Sequence, residues 1–404
     1  MKKLIAVLLS TILIMSTPLY ISANTVSMEY EGVDLQTPLE ENLQANATIG
    51  ESLQINAKSA ILMEFNTGAI LYESNIDEKM APASITKIMT LILVMEALEA
   101  GKLTLQQEIT ASEHAASLGG SQIWLEPGEV MTVDELLRAT VIASANDATV
   151  ALAEAVAGSE ESFVQMMNQK AKDLGMNNTK FINSYGLDAD GHLTTAHDVA
   201  LMSTELIKHD LIRKYSTVKI DSLRNGESEL VNTNKLIRYY NGAFGLKTGT
   251  TSQAGSCLSA TAERDGLTLI AVVLGSPTSK DRFSGAQKLL DYGFANYCYT
   301  EVEADTSEFS NIPVKKGTVR EIIPIADEKL SVLLKKGEED GINQTFVLEK
   351  ELTAPINKGD VIGYVHVFLN EEEMGVIPIK ASNSSEKLTF WICFSRLIKS
   401  LFTL

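Results

Sequence analysis

Cysteine and positive charge are what this sequence has least of. Its 404 residues include only three cysteines, Cys257, Cys298 and Cys393, at spacings that fit neither a zinc knuckle nor a C-x-x-C redox pair. A structural metal is not expected, and neither is any other cofactor. A disulfide framework is not expected either, because a chain of this size buries a core without staples. Cys257 reads as a small core residue. The formal charge of −18 leaves no clustered excess of Lys and Arg, which argues against a nucleic-acid partner or a broad anionic-lipid surface.

Charge of either sign is missing between Leu4 and Ile21. Lys2 and Lys3 precede the apolar run Leu4 to Met15, and Ile21, Ser22 and Ala23 close the segment with small residues. This is the pattern of an export signal spanning residues 1–23, cleaved after Ala23. The competing reading is an uncleaved anchor of nearly the minimum length for a bilayer. Pro18 and the small residues favour cleavage, and either way the body of the protein works outside the cytoplasm.

Residues 24–54 are polar and acidic with little periodicity and read as a lead-in. The fold is expected from 55 to 299. Ser59 to Phe65 and Ala69 to Tyr72 flank Asn66-Thr67-Gly68, the composition of a hairpin turn. Ile88, Leu91, Ile92 and Met95 predict a buried helix after Ser84, ending before Gly101. Thr132 with Glu135 is a capping-box pattern, opening a helical region that runs to Val156 and is interrupted at Ser144 to Asp147. Further helices are expected at Ser159 to Leu174 and Ala196 to Ile207. Strands return at Ala243 to Thr248, at Cys257 to Glu263 and at Leu267 to Leu274, the last two joined by Asp265-Gly266, before a helix from Asp281 to Tyr292. Strands at both ends with helices between them predict an α+β domain, an antiparallel sheet with helices on both faces and a separate helical lobe.

From 300 to 380 short alternating runs, Val319 to Ile325, Leu330 to Leu334 and Val361 to Phe368, predict a small β domain. Residues 381–404 read as a linker, Ala381 to Ser385, and an amphipathic helix. That helix places Trp391, Phe394, Ile398 and Leu401 on one face, with Arg396, Lys399, Ser400 and Thr403 elsewhere. Its length and charges suit lying in a membrane surface better than spanning it; docking on its own protein is the alternative.

Three short motifs carry chemistry. Ser84-Ile85-Thr86-Lys87 sets a hydroxyl and an amine on one face at the start of the apolar helix. Ser216 to Lys219 and Ser384 to Lys387 share the S-x-x-K spacing, but Ser216 reads as part of a strand and Ser384 as part of the linker. Only Ser84 follows a Pro-containing loop at a helix N-terminus, where backbone N–H groups can meet a developing oxyanion. Ser144-Ala145-Asn146 offers a hydroxyl and an amide from one turn, though by itself it also reads as an ordinary helix junction. Lys247-Thr248-Gly249 follows a strand and by itself also reads as an edge-strand turn.

In this order and at these spacings the three resemble the S-x-x-K, S-x-N and K-T-G motifs of the penicillin-recognising serine enzymes. Within them the chain resembles the low-molecular-mass penicillin-binding proteins that act as D-alanyl-D-alanine carboxypeptidases, peptidase family S11. The resemblance extends to Gly186-Leu187-Asp188, Thr195-Ala196-His197-Asp198, Arg282, the β domain and the tail. It implies a peptidoglycan stem peptide ending in D-Ala-D-Ala as substrate, β-lactams as covalent inhibitors, and work at the outer face of the cytoplasmic membrane. It also implies Ser84 as nucleophile, Lys87 as base, Ser144 as proton relay and Asn146 as the group positioning Lys87 and the substrate amide. The backbone N–H groups of Ser84 and Thr250 would form the oxyanion hole. Lys247, Thr248, Gly249 and Arg282 would hold the substrate and its terminal carboxylate. His197 stands where many relatives have Arg, and reads as capping or packing on its helix.

Three other readings use the same residues differently. A class A β-lactamase would need S-D-N and a Glu-x-x-Leu-Asn segment between Asn146 and Lys247, which the chain lacks. A non-catalytic wall-binding protein has no need of intact Ser84, Lys87, Ser144, Asn146 and Lys247. Endopeptidase or transpeptidase action differs only in leaving group and acceptor.

Overall fold

A computed structural model describes residues 53–402. The expected export signal and nearly all of the lead-in lie outside the described residues. The sheet of the first domain is built from one hairpin and one three-stranded meander. Strands β1 (Ser59–Glu64) and β2 (Ile70–Ser74) pair across the Asn66-Thr67-Gly68 turn. The Glu64 carboxylate closes that turn, accepting from the N–H groups of Asn66 and Thr67 at 2.9 and 2.7 Å. After β2 the chain leaves the sheet for its helices: α1 (Lys87–Glu99), α2 (Val133–Arg138), α3 (Asn146–Ala157), α4 (Glu160–Asp173), α5 (Ala196–Ile207) and α6 (Asp210–Ser216). It returns in β3 (Ala243–Thr251), β4 (Gly255–Arg264) and β5 (Leu267–Ser276), followed by α7 (Ser279–Asn296). The sheet is antiparallel throughout, in the order β2-β1-β5-β4-β3, so this domain's first and last described strands pair beside its centre.

Every residue of β1 is buried, because both faces of the sheet are covered and alternate side chains enter different cores. Ile61, Met63, Val272 and Leu274 pack with α1, α4 and α5 of the helical lobe. Ala60, Leu62, Leu258 and Val273 pack instead against Phe283, Ala286, Leu289 and Leu290 of α7. The expected α+β layering is present.

The second domain is all β. Strand β6 (Tyr297–Glu303) pairs with β7 (Lys329–Lys335), and a four-stranded sheet contains β8 (Ile342–Leu348), β9 (Val361–Leu369) and β10 (Glu372–Ala381). Val332, Leu334, Val365, Val367, Ile377 and Ile379 are among its core residues. Two sequence expectations are corrected here. Ala381 to Ser385 is not a linker: Ser385 is fully buried, and its N–H and carbonyl bond the carbonyl and N–H of Ile356 at 2.9 Å. Ser216 is not in a strand. It ends α6, buried, with its hydroxyl on the carbonyl of Phe244. The side chain of Tyr215 is drawn into the core at that point and outweighs the alternating pattern that follows.

The tail forms α8 (Phe390–Phe402). Phe390, Trp391, Phe394, Leu397, Ile398 and Leu401 recur at helical spacing and are all exposed, Trp391 by 73%. That apolar face is therefore largely exposed. Arg396 reaches back to the carbonyl of Thr318 at 2.7 Å. Among the described residues no helix is long and apolar enough to cross a membrane.

Candidate active site

Ser84 lies in a short turn, Ala83–Thr86, that leads into α1. The turn starts under strain, since Ala83 has φ +49°. Two glycines make room for it. A Cβ on Gly186 would stand 1.9 Å from the Ala83 carbonyl oxygen, and one on Gly249 would stand 2.9 Å from the Ala83 Cβ and 3.1 Å from the Ser84 nitrogen. Strand β3 therefore lies directly against the turn that carries the hydroxyl.

Lys87 is fully buried. Its Nζ is 3.1 Å from Ser84 Oγ, 2.7 Å from Asn146 Oδ1 and 2.6 Å from the carbonyl oxygen of Tyr185. The last two can only accept. Burial holds the amine well below the ordinary lysine value, with Lys247 adding to the effect and Asp147 opposing it. A neutral amine has two protons, which Asn146 and Tyr185 take. The lone pair is then left facing Ser84.

The break between α2 and α3 supplies the second motif. The Thr132–Glu135 capping box forms as expected, and α2 runs into a π turn, Ala139–Ala143. Ser144 follows in the left-handed conformation, φ +63°, and turns the chain so that α3 starts at Asn146. Residues 144 and 146 thus face different lysines. The Asn146 amide is oriented by its Nδ2, which donates to the Gly119 carbonyl at 2.7 Å and so presents Oδ1 to Lys87. Ser144 Oγ accepts from Lys247 Nζ at 2.7 Å. Asp147, fully buried, accepts from the N–H groups of Ile123, Leu125 and Ala148 at 2.9–3.2 Å and fixes the loop that carries Gly119.

The third motif lies on β3, at the sheet's edge. Among the described residues its outer row of backbone groups has no partner strand, the arrangement to which an extended peptide can add. Lys247 is buried and pushed down to about 7 by desolvation and by the nearby Arg282. Thr248 Oγ1 donates to Thr233 Oγ1 at 2.8 Å. Thr250 is exposed. Arg282 reaches β3 from α7: its Nη1 donates to the Gly249 carbonyl and to Thr250 Oγ1, both at 2.8 Å. Beyond the motif, Asp188 accepts from Thr251 Oγ1 at 2.6 Å and ties the strand end to the Gly186-Leu187-Asp188 segment.

Ser84, Lys87, Ser144, Asn146, Lys247, Thr248, Gly249, Thr250 and Arg282 thus belong to one connected region, and His197 does not. Its N–H bonds the Ile76 carbonyl, and its ring lies 4.0 Å from Asp198 at the start of α5, in keeping with a packing role. Sequence reasoning missed Asp147, Tyr185, His192 and Thr233. Asp147 had a signal, an acid at the mouth of a helix beside a motif. Tyr185 had none, because its contribution is a backbone carbonyl. Among the described residues no cluster of His, Cys, Asp and Glu could hold a metal.

The chain is similar to known proteins over most of its length. A family model described as D-alanyl-D-alanine carboxypeptidase, peptidase S11, matches residues 44–278, and one for the C-terminal domain of penicillin-binding protein 5 matches 297–387. The D-alanyl-D-alanine carboxypeptidase DacF of Bacillus subtilis is 44% identical over 338 residues, 83% of this chain and 87% of that protein. The structure of penicillin binding protein 5 from Haemophilus influenzae superposes with a TM-score of 0.69 at 33% identity, covering 83% of this chain and 98% of that one. Penicillin-Binding Protein D2 from Listeria monocytogenes, in an ampicillin-bound form, gives 0.55 at 34% identity over 60% of this chain and 99% of that one. On the family model over residues 44–278, the relative matched over 83% of the chain and the three motifs together, this chain belongs to the D-alanyl-D-alanine carboxypeptidase family, peptidase S11.

Proposed function

We propose that the chain removes the terminal D-alanine from peptidoglycan stem peptides through an acyl-enzyme on Ser84. The observation that carries this reading is the buried Lys87 amine, whose two acceptor-only partners leave its lone pair for the Ser84 proton. As Ser84 Oγ attacks the carbonyl between the two D-alanines, its proton passes to Lys87. The carbonyl oxygen takes up the electron pair and is met by the N–H groups of Ser84 and Thr250. Collapse breaks the C–N bond, and the leaving amine takes the proton from Lys87, relayed through Ser144, whose hydroxyl Lys247 orients, so that Lys87 is neutral again. Water then attacks the ester, giving its proton to Lys87, which passes it to the departing Ser84 oxygen, freeing the shortened peptide and restoring Ser84 and a neutral Lys87. Lys247 and Thr248 bind the terminal carboxylate, with the charge of Arg282 behind Gly249. Asn146 holds Lys87 and meets the substrate amide. A β-lactam enters by the same attack but leaves no free amine to depart, so the acyl-enzyme persists.

Release of D-alanine from diacetyl-Lys-D-Ala-D-Ala tests the reading. The base must be neutral, so kcat/KM is expected to fall as pH is lowered through the Lys87 pKa, which lies well below that of a free lysine. A rate that stays flat from neutral to acid pH, or that appears only above the ordinary lysine value, would count against a neutral Lys87.

The exposed face of α8 supports a second element of the proposal, that the mature protein lies on the outer face of the cytoplasmic membrane with this helix in the lipid interface. Six large apolar side chains on thirteen residues match such a helix. Deleting residues 390–404 is expected to shift the protein from a vesicle pellet to the supernatant while leaving hydrolysis of the soluble peptide unchanged. Retention on vesicles would refute the anchor.

A further inference from the structure

Buried beneath the nucleophile turn is a histidine that the reaction scheme does not use. His192 is 2% exposed. Its Nδ1 accepts from the N–H of Ile182 at 2.9 Å, and its Nε2 lies 2.8 Å from Thr86 Oγ1. Thr86 Oγ1 in turn donates to the Ala83 carbonyl at 2.8 Å. A backbone N–H only donates, so Nδ1 carries the lone pair and the neutral ring carries its proton on Nε2. Nε2 then donates to Thr86, whose own proton serves Ala83. One arrangement of protons satisfies all three bonds. Burial favours the neutral ring, lowering its pKa to about 4 against the opposing pull of Asp188.

The two segments joined in this way are the ones on either side of Lys87 Nζ. The first is the strained Ala83–Thr86 turn with Ser84. The second is the run from Ile182 to Gly186, whose Tyr185 carbonyl takes one Lys87 proton and whose Gly186 lies against Ala83. We propose that His192 is a positioning residue, bridging Thr86 Oγ1 and the Ile182 N–H so that Ser84 and the Tyr185 carbonyl keep the separation that aims Lys87 at Ser84. This rests on the reading of Ser84 and Lys87 as nucleophile and base. His192 is too buried to meet a substrate and acts only through its neighbours.

The test uses the full-length protein in detergent and compares His192→Leu, His192→Gln, Thr86→Val and the Leu/Val double variant. The measured quantities are the second-order rate of penicillin acylation, kcat and KM for the peptide, and the thermal midpoint. His192→Leu is expected to lower acylation and kcat by about 10- to 100-fold, the scale of a small misplacement of reacting groups, with KM little changed. His192→Gln, whose amide offers one donor and one acceptor, should restore most of the rate. Thr86→Val should reproduce the loss, and the double variant should be no slower than the slower single one. Because Thr86→Val leaves the imidazole in place, it decides the matter if His192→Leu does not fold. Acylation by a folded His192→Leu or by Thr86→Val within about twofold of the unmodified protein, or losses that multiply in full, would overturn the proposal. Failure of the unmodified protein to be acylated would instead remove the reading beneath it.

Discussion

Lys87→Met is expected to cut penicillin acylation by about 10³-fold or more while leaving the protein folded. Methionine has nearly the volume of lysine and suits a buried site, so the substitution removes the base without opening a cavity. It leaves Asn146 Oδ1 and the Tyr185 carbonyl without a donor, a cost of about 1–3 kcal/mol for each buried acceptor. Removal of a desolvated amine offsets part of that cost. Lys87→Arg should be no better as a base, because a guanidinium keeps its proton. Stopped-flow acylation with circular dichroism on the same samples separates lost chemistry from lost structure. A Lys87→Met enzyme acylated within about tenfold of the unmodified rate would mean that some other group takes the Ser84 proton.

The second large effect belongs to Gly186→Ala. At φ +97° any side chain is strained, and here the new methyl would also sit 1.9 Å from the Ala83 oxygen, which is backbone and cannot rotate away. Either the strained turn retreats and takes Ser84 with it, or the segment that carries Tyr185 does. A loss of about 3 kcal/mol or more is expected, together with loss of acylation. Gly191→Ala provides the contrast. Gly191 also has a positive φ, +76°, but a Cβ there would meet nothing within 4 Å, so only the left-handed penalty of about 1–2 kcal/mol applies. Thermal denaturation of the two variants checks this. Equal losses would mean that the close approach to Ala83 is not what Gly186 is for.

Local signals in the sequence were reliable where the structure is decided locally. The Asn66-Thr67-Gly68 and Asp265-Gly266 turns, the Thr132–Glu135 capping box and the bounds of Ala196–Ile207 all follow from a few adjacent residues. Elements held by packing were not legible. The hairpin Ile220–Leu223 with Ser228–Val231 leaves Ile220 and Val231 exposed, so no buried face marks it, and the short helix Asp210–Ser216 depends on Tyr215 entering the core. The same division runs through the site. Ser84, Lys87, Ser144, Asn146 and Lys247 were found because their side chains form motifs, and the structure bonds Lys87 to Ser84 and Asn146, and Lys247 to Ser144. The acceptors that tune them, at Tyr185 and Gly119, are backbone atoms that no motif records. Arg282 was expected to face the substrate carboxylate. Its Nη1 bonds to Gly249 and Thr250, so it also braces the strand on which the substrate would lie.

The most direct test of the central claim is the intact mass of the protein after incubation with penicillin, beside Ser84→Ala. The account predicts a persistent increase by the mass of one penicillin that is absent in the variant, and release of one D-alanine per diacetyl-Lys-D-Ala-D-Ala by the unmodified protein alone. An adduct that survives in Ser84→Ala, or a folded unmodified protein that takes up no penicillin, would contradict it.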